Sequence, residues 1–281
     1  MKKRFYIYIL ATLVISGLLL SCGKKRSSDS QESAIPEEDK VVTIMSYNVL
    51  RFVYDKENPY NYETIAKLVH EKGAEAVALN ELDKLTTRSR EEDQLAHFAQ
   101  VLGGWDFEFG SAMPYMGGDY GEGIATRESA VQKFSVQLPK GVGAEPRVMV
   151  VMELEDYVIA TTHLDHVSDE AQIGQVEKIT EEIAKLYKDS DKPVFLAGDL
   201  NATPDSETIA ILEKDWIRLS GTEPTFPSHA PRGCIDYVYQ YNNGVECEVL
   251  HSEVVTTAEA GDMTVMSDHL PVLVKVKILS K

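Results

Sequence analysis

From residue 41 onwards, short apolar runs alternate with polar segments, a pattern that predicts strands and helices in layers. Continuous apolar runs at Val41–Met45, Ala76–Leu79 and Val194–Ala197 are typical of strands buried on both faces. Further strands are predicted around residues 107–109, 123–126, 131–138, 148–154, 157–162, 234–240, 246–255 and 270–279. The segment Asn242-Asn243-Gly244 is typical of a hairpin turn between two of the later strands.

Apolar residues at steps of three or four predict helices between the strands. This pattern covers Tyr62–His70 and Leu95–Leu102, and the longest example begins near Ser168. Helices alternate with strands in the first half of the domain, whereas strands dominate the second half. The sequence therefore predicts an α/β (α+β) domain in which helices cover mixed β-sheets.

Polar, oxygen-bearing residues follow several of the predicted buried strands. They occur in five motifs: Ser46-Tyr47-Asn48, Asn80-Glu81, Thr162-His163-Leu164, Gly198-Asp199-Leu200-Asn201 and Ser267-Asp268-His269. Strand ends hold side chains in place, and carboxylate and amide oxygens suit a hard divalent cation. Each motif alone also has a structural explanation, as an Asx turn, a solvated acid or a structural histidine. Together they predict an oxygen-rich metal site with two imidazole bases.

With Ile235-Asp236-Tyr237 added, these motifs resemble those of the endonuclease/exonuclease/phosphatase superfamily, the deoxyribonuclease-I-like metal-dependent phosphoesterases. The resemblance extends from about Val41 to Ile278, and the six motifs occur in the family's order. It implies a four-layer α-β-β-α sandwich of two mixed β-sheets flanked by helices. That architecture agrees with the layered pattern of apolar segments.

The resemblance implies that Asn48, Glu81 and Asp268 hold Mg²⁺ or Mn²⁺. Glu81 is the strongest candidate for a direct ligand, because hard cations favour carboxylate oxygen. The residues before Glu81 are apolar, which argues against a merely solvated surface acid. Asn48 also has an explanation as a turn-forming residue, and both interpretations stay open at this point.

The same resemblance gives catalytic roles to His163, Asp199, Asn201, Asp236 and His269. His269 would be the general base that deprotonates water, and Asp236 would hold the tautomer of its ring. Asp199 and Asn201 would point to the same side of an extended segment and position the water and a phosphate oxygen. His163 would donate a hydrogen bond or a proton to the phosphate.

Three positions depart from the family's common pattern or extend it. Asn80 stands where relatives usually have glutamine, a change that bears on packing and on support of the neighbouring glutamate rather than on metal ligation. Glu122 is the nearby candidate for an acidic partner of His163. Gln172 stands where an arginine often occurs on the following helix.

Candidate substrate contacts are Arg88, which would clamp a phosphate, and Asn201. A solvated basic loop beside the acidic residues 91–93 is the alternative interpretation of Arg88. Arg147 immediately precedes an apolar strand and is interpreted as structural. The segment Met113–Tyr120 predicts a flexible aromatic loop that could set specificity.

The first 21 residues are typical of a bacterial lipoprotein signal peptide. Three basic residues precede an apolar run from Phe5 to Leu20, which is shorter than the roughly 20 residues that span a bilayer. Leu-Leu-Ser-Cys resembles a lipoprotein box, which implies cleavage before Cys22 and lipid attachment to its thiol. An uncleaved membrane anchor is the alternative. Residues 22–40 are polar and predict a flexible tether, and residues 41–281 are expected to form one domain.

The formal net charge of −17 disfavours an extended nucleic-acid footprint, which normally needs a basic face. It does not exclude a phosphate-ester substrate, because a bound dication reverses the local field. We therefore expect an exported, monomeric phosphoesterase that is lipid-anchored to a bacterial membrane, in the periplasm or at the cell surface. Small phosphorylated molecules, lipid headgroups and short nucleic-acid strands all remain open as substrates.

Two other classes of function were compatible with an exported acidic domain. A non-catalytic binding lipoprotein would be expected to have lost an acidic or histidine residue of the site, and all are present. A surface adhesin would be expected to contain repeats, and the sequence shows none.

Cys234 and Cys247 could form a disulfide in an exported protein. The predicted hairpin between them does not set them opposite each other, which favours free thiols.

Overall fold

The computed structural model describes residues 39–53, 60–141 and 145–279. The predicted signal peptide, Cys22 and nearly all of the predicted tether lie outside these ranges, so their assignments stay predictions. The first strand begins at Lys40, which pairs with Ile278 and thus already belongs to the folded domain.

The described residues form two six-stranded sheets. Sheet 1 has the order β11-β12-β1-β2-β4-β3 and contains β1 (Lys40–Asn48), β2 (Ala76–Lys84), β3 (Asp106–Tyr115), β4 (Gly118–Thr126), β11 (Cys247–Val254) and β12 (Val272–Ile278). Sheet 2 has the order β5-β6-β7-β8-β10-β9 and contains β5 (Gln132–Gln137), β6 (Val148–Glu153), β7 (Val158–His163), β8 (Val194–Asp199), β9 (Trp216–Arg218) and β10 (Asp236–Tyr241). Both sheets are mixed, because β1 and β2 are parallel in sheet 1 and β7 and β8 are parallel in sheet 2.

Helices cover the outer face of each sheet. They are α1 (Tyr62–Glu71), α2 (Gln94–Val101), α3 (Asp169–Tyr187), α4 (Glu207–Leu212) and α5 (Met263–Met266). One apolar core joins α1, α2 and α5 to sheet 1, a second joins α3 and α4 to sheet 2, and a third lies between the sheets. The predicted four-layer α-β-β-α sandwich is confirmed. Within the described part of the chain, no helix is long and apolar enough to cross a membrane.

The longest helix, α3, shows how the sequence pattern builds an outer layer. The Ser168 side chain caps its start by accepting a hydrogen bond from the Ala171 amide. Val176, Ile179 and Ile183 follow at helical spacing and are completely buried against sheet 2. Burying each such aliphatic side chain contributes about 1.5–3 kcal/mol, which holds the helix in its layer.

Strand register brings the polar motifs to matching edges of the two sheets. Asn48 lies opposite Asn80 in the parallel β1–β2 pair, and His163 lies opposite Asp199 in the parallel β7–β8 pair. Asp236 opens β10 and pairs with Asp199 from the antiparallel side. The Ser-Asp-His motif precedes β12, which is antiparallel to β1, so it reaches the same edge of sheet 1.

The prediction of a flexible loop at Met113–Tyr120 is wrong. These residues belong to a hairpin in which β3 and β4 pair antiparallel and turn at Met116-Gly117. This part of the rim is therefore formed by the end of a paired hairpin and not by a loop.

The hairpin predicted at Asn242-Asn243-Gly244 is also wrong. The strands on either side, β10 and β11, belong to different sheets. Asn243 instead donates its side-chain amide to the carbonyls of Tyr187, Ser190 and Lys192. The segment therefore crosses between layers and stabilises the backbone beyond α3.

Cys234 and Cys247 are both free, as the sequence favoured.

Candidate active site

The polar motifs converge on one cavity of about 360 Å³. Seven of the predicted site residues line it: Glu81, Arg88, His163, Asp199, Asn201, Asp268 and His269. Asn48 and Asp236 are buried beside these residues and contact them directly. The predicted site residues thus form one constellation, apart from Cys22, which lies outside the described residues.

Asp199 is the meeting point of this constellation. Its Oδ2 lies 3.2 Å from Asn48 Nδ2, 3.4 Å from His163 Nε2 and 3.6 Å from His269 Nε2. Burial, together with the negative charge of Asp236, raises the pKa of Asp199 to about 7. One carboxylate therefore faces both imidazoles and titrates near neutral pH.

His269 is held from both sides of its ring. Its Nδ1 lies 2.9 Å from Asp236 Oδ2, and the ring of Phe226 packs against it in a tilted arrangement, with 4.7 Å between the ring centroids. Burial alone would lower the pKa of His269. The charge of Asp236 and its hydrogen bond, followed by the charges of Asp199 and Asp268, outweigh burial and raise the pKa of His269 to about 10. Its Nε2 remains directed at Asp199 and the cavity.

His163 is in a different electrostatic state. Its Nε2 lies 2.9 Å from Asn201 Nδ2, so the ring accepts a hydrogen bond there and its proton belongs on Nδ1. Burial, with the positive charge of Arg147, lowers the pKa of His163 well below its usual value, so the ring is neutral. Glu122 is the nearest carboxylate to Nδ1, but the 3.9 Å separation is too long for a hydrogen bond. The predicted acidic partner is therefore adjacent without being bonded.

Asn201 reaches the site in a different way from the prediction. Its φ of 49° is left-handed rather than extended, and its backbone amide donates a hydrogen bond to Asp199 Oδ1 at 2.9 Å. This Asx turn, and not the alternation of a strand, brings the two side chains to the same cavity. Gln172, on α3, donates to the Asn201 carbonyl at 2.9 Å and so holds the turn in place.

Asn80 links the two sheets behind the cavity. Its side-chain oxygen accepts from the Asp199 amide at 2.9 Å, and its nitrogen donates to the Thr162 carbonyl at 3.0 Å and to Glu122 Oε2 at 2.9 Å. Burial raises the pKa of Glu122 to about 7. Asn80 therefore orients its neighbours, as the sequence implied for this position.

Glu81 enters the cavity through a bulge in the middle of β2. The β2–β4 register shifts between Leu79 and Leu82, and Glu81 has a φ of 59°. A bulge of this kind turns a side chain out of the regular alternation. In the described structure Glu81 Oε2 accepts from Arg51 at 2.8 Å, and Oε1 accepts from Asn48 Nδ2 at 3.2 Å.

Arg51 lies in an unusual turn that the sequence did not predict. Leu50, Arg51 and Phe52 have φ values of 45°, 60° and 58°, although left-handed backbone is unfavourable for such residues. The Arg51 carbonyl accepts from Gln94 at 2.8 Å, and Phe52 packs on Phe98. These contacts stabilise the turn and direct the guanidinium of Arg51 at Glu81.

The donor set fits a divalent cation of the Mg²⁺ or Mn²⁺ type. Glu81, Asp199 and Asp268 present carboxylate oxygens to the cavity. Asn48 Oδ1 accepts from the Leu50 amide at 3.1 Å, so this side chain presents its nitrogen to Glu81. The ligand role of Asn48 stays a prediction.

The tightest group of acids and imidazole is a different one, formed by Asp199, Asp236 and His269, whose ligand atoms lie within 4.8 Å of one another. The 2.9 Å contact between His269 Nδ1 and Asp236 is a hydrogen-bond distance and leaves no room for an ion between those atoms. This group is therefore suited to proton handling, and Glu81 and Asp268 are carboxylates of the cavity wall that could hold a cation.

Arg88 lines the cavity, but its guanidinium is already paired. It binds Asp83 through two hydrogen bonds of 2.6 and 2.8 Å and stacks over the ring of Tyr115 at 4.4 Å. A bidentate carboxylate pair of this kind leaves little positive charge for substrate. The geometry gives Arg88 a role in positioning Tyr115 at the rim.

Besides Arg51, two more basic residues of the wall were missed as site residues. Arg147, interpreted as structural from its position before β6, lines the cavity and lies 3.2 Å from His166 through Nη2. His166 lines the cavity as well. The sequence did contain one indication that Arg147 belongs to the site: like the motif residues, it directly adjoins a buried strand.

Two facing mixed sheets with an acidic and imidazole site between their edges define the architecture of a phosphoesterase family. The sequence profile described as the Endonuclease/Exonuclease/phosphatase family matches residues 45–269. The chain belongs to this family. No curated protein matches it closely enough to be reported as a relative.

Several solved structures share the fold. A family protein from Bacteroides thetaiotaomicron is 18% identical with a TM-score of 0.68, over 86% of this chain and 100% of that one. A mannosyl-6-phosphatase from Bacteroides thetaiotaomicron VPI-5482 is 22% identical with a TM-score of 0.66, over 84% and 99%. ANGEL2, a 2',3'-cyclic phosphatase, is 15% identical with a TM-score of 0.67, over 88% and 99%. At these identities the likeness establishes the fold.

Proposed function

We propose that the protein is a metal-dependent hydrolase of phosphate esters that uses Mg²⁺ or Mn²⁺. The observation that carries this proposal is the convergence of His163 and His269 on Asp199 Oδ2, in the cavity that Glu81 and Asp268 also line. Similarity in fold to a mannosyl-6-phosphatase and to a 2',3'-cyclic phosphatase supports the same reaction class.

In this proposal, His269 takes a proton from the attacking water at Nε2. Asp236 holds the ring through Nδ1, which leaves Nε2 free for that task. Asp199 and Asn201, joined in one Asx turn, position the water and a phosphate oxygen. Attack in line with the leaving oxygen breaks the P–O ester bond, and water supplies the new P–O bond.

His163 contributes differently from the sequence-based prediction. Because its Nε2 accepts from Asn201 and the ring is neutral, it is poorly placed to give a proton to phosphate. We propose instead that His163 orients the side-chain amide of Asn201. The position of that amide determines which phosphate oxygen Asn201 can contact.

Glu81 and Asp268 would hold the cation, with Asn48 beside them. When bound, the cation would supply positive charge that stabilises the phosphate oxygens in the transition state and counters the charge of Asp268, one of the carboxylates that raise the pKa of His269. The high pKa of His269 is therefore a property of the protein's own charges, and it would fall as that negative charge is offset.

The size and charge of the site favour a small substrate. A cavity of about 360 Å³ lies near the lower end of the range for small-molecule sites, and the net charge of −17 disfavours an extended nucleic-acid footprint. We further propose that the enzyme is an exported monomer tethered through Cys22. A Cys22→Ser variant should move from the membrane fraction to the soluble fraction; continued membrane association would contradict lipidation at that residue.

A substrate screen tests the proposed function. Purified protein would be given phosphomonoesters, phosphodiesters, phospholipids and short single-stranded DNA, each with Mg²⁺, Mn²⁺ or chelator. The expected result is metal-dependent release of product from at least one small phosphate ester, and its loss in His269→Ala. Binding of substrates without turnover would instead indicate a non-catalytic binding protein.

A further inference from the structure

Three arginines line the cavity, and their charges are offset to different degrees. Arg51 donates to Glu81 at 2.8 Å, and Arg88 forms a bidentate pair with the buried Asp83. In contrast, Arg147 has no hydrogen bond to a carboxylate in the described part of the chain. Its nearest acid, Glu145, lies 3.5 Å away through Oε2 and is half-exposed.

Arg147 is also the most deeply buried of the three. Its side chain is 1% exposed, and Nε and Nη1 have no hydrogen-bond partner among the described residues. Its Nη2 contacts His166 Nδ1 at 3.2 Å. Burial of guanidinium N–H groups without acceptors is unfavourable, so a native protein normally supplies a partner. Because Arg147 lines the cavity, that partner can be an anionic ligand.

The chemistry of the guanidinium defines the ligand. The planar, forked guanidinium presents N–H donors that match the oxygens of a phosphate group, and those of Nε and Nη1 are unpaired among the described residues. His166 adds an exposed imidazole at the same place. Glu145 does not block such a ligand, because its half-exposed side chain can turn into solvent.

We propose that Arg147 and His166 form a subsite for the terminal phosphate of a phosphomonoester, and that this subsite makes the enzyme prefer monoesters to diesters. The inference rests on the proposed phosphate-ester hydrolysis. A monoester carries a second negative charge in an already acidic cavity. The fixed guanidinium of Arg147, whose nearest carboxylate among the described residues is the half-exposed Glu145, offsets that charge more than it helps a diester monoanion. A monoester also offers a third non-bridging oxygen, so one oxygen can accept a hydrogen bond from Arg147 while the others face the cation.

The test compares p-nitrophenyl phosphate with bis(p-nitrophenyl) phosphate, at saturating Mn²⁺, for wild type and four variants. These are Arg147→Gln, Arg147→Lys, His166→Ala and the control Arg127→Gln, which removes an arginine that is 68% exposed and outside the cavity wall. Arg147→Gln should lower kcat/KM for the monoester by about 10–100-fold, as expected for loss of charge-assisted hydrogen bonds, and affect the diester much less. Arg147→Lys should recover part of the loss, because it keeps the charge and loses the fork. Arg127→Gln should behave as wild type.

Binding of inorganic phosphate gives a second readout that does not need turnover. Phosphate should raise the melting temperature of wild type and of Arg127→Gln, and this shift should shrink in Arg147→Gln and in His166→Ala. If Arg147→Gln does not fold, the His166→Ala variant tests the subsite instead. The His166 side chain is exposed, so the protein should tolerate its truncation. A roughly 5-fold loss specific to the monoester is expected for that variant, the size of one lost hydrogen bond.

The outcomes separate the two proposals. An equal loss of activity on both esters in Arg147→Gln, or unchanged phosphate binding in the variants, would overturn the monoester subsite while leaving the proposed hydrolysis intact. A wild type inactive on every phosphate ester would overturn the proposed function; loss of phosphate binding in the Arg147 variants would then still support the subsite as an anion site.

Discussion

Replacing Asn80 with alanine should destabilise the domain by about 3 kcal/mol, because a fully buried side chain loses three short hydrogen bonds of about 1 kcal/mol net each, besides a longer one of 3.4 Å to Thr161 Oγ1. The partners of the three short bonds are the Asp199 amide, the Thr162 carbonyl and the Glu122 carboxylate. All three are buried, so they lose their partner without gaining bulk water. The loss should therefore exceed that of an exposed asparagine.

Urea unfolding followed by circular dichroism measures this change, with thermal melting as a second readout. For a domain of this size, 3 kcal/mol corresponds to a fall in melting temperature of roughly 6–12 °C. Asn242→Ala is the matched control, because Asn242 is exposed and its side chain forms no hydrogen bond with the residues that the structure describes; it should change stability by less than about 0.5 kcal/mol. If Asn80→Ala and Asn242→Ala unfold at the same urea concentration, Asn80 does not link the sheets energetically and this reasoning is wrong.

Three further predictions concern catalysis. His269→Ala should lower kcat by ~10²–10⁴ with an unchanged circular dichroism spectrum, measured by product release; full turnover would remove His269 from proton transfer. Glu81→Gln should raise the Mn²⁺ concentration for half-maximal activity at least about 10-fold, and equal activity in chelator would refute metal dependence. Asp236→Asn should lower kcat, yet the double variant Asp236→Asn/His269→Ala should be no slower than His269→Ala, because Asp236 acts through that ring; additive losses would show that it acts independently.

Sequence patterns predicted the fold well because the strands that carry the site are also the most buried. Continuous apolar runs such as Val41–Met45 and Val194–Ala197 became interior strands, and polar residues followed them because side chains at those strand ends reach the cavity. The pairing of His269 with Asp236, implied by the family resemblance, corresponds to a direct 2.9 Å contact in the structure. These features depend on short segments with strong local signals.

The errors arose where a local signal depends on tertiary contacts. Gly117 and Gly118 made the segment resemble a loop, but Gly118 is needed for close packing, because a Cβ there would lie 2.2 Å from the Lys84 carbonyl oxygen. The turn at Asn243 has a hairpin composition, yet the amide binds carbonyls beyond α3 and the chain changes sheets. No residue nearby in sequence indicates either contact.

The arginines show the same limit for the site. Arg88 lies in a loop rich in charged residues and forms an ion pair with the buried Asp83. The sequence did not indicate which acid would pair with it. Arg147 stands beside an apolar strand, a position typical of a structural residue, and only the stacking of the two sheets places it in the cavity wall. The role of Arg88 therefore follows from its pairing with Asp83, and that of Arg147 from the packing of the two sheets.

The position of β12 has a consequence for how the chain folds. It is the last described strand in sequence, yet it lies between β11 and β1 in the interior of sheet 1, and its pairing with β1 spans more than two hundred residues. Such long-range pairing gives a high contact order, which slows folding. During synthesis, sheet 1 cannot close and His269 cannot be held beside Asp236 until this segment has emerged. A chain destined for export in an unfolded state would gain time from that delay.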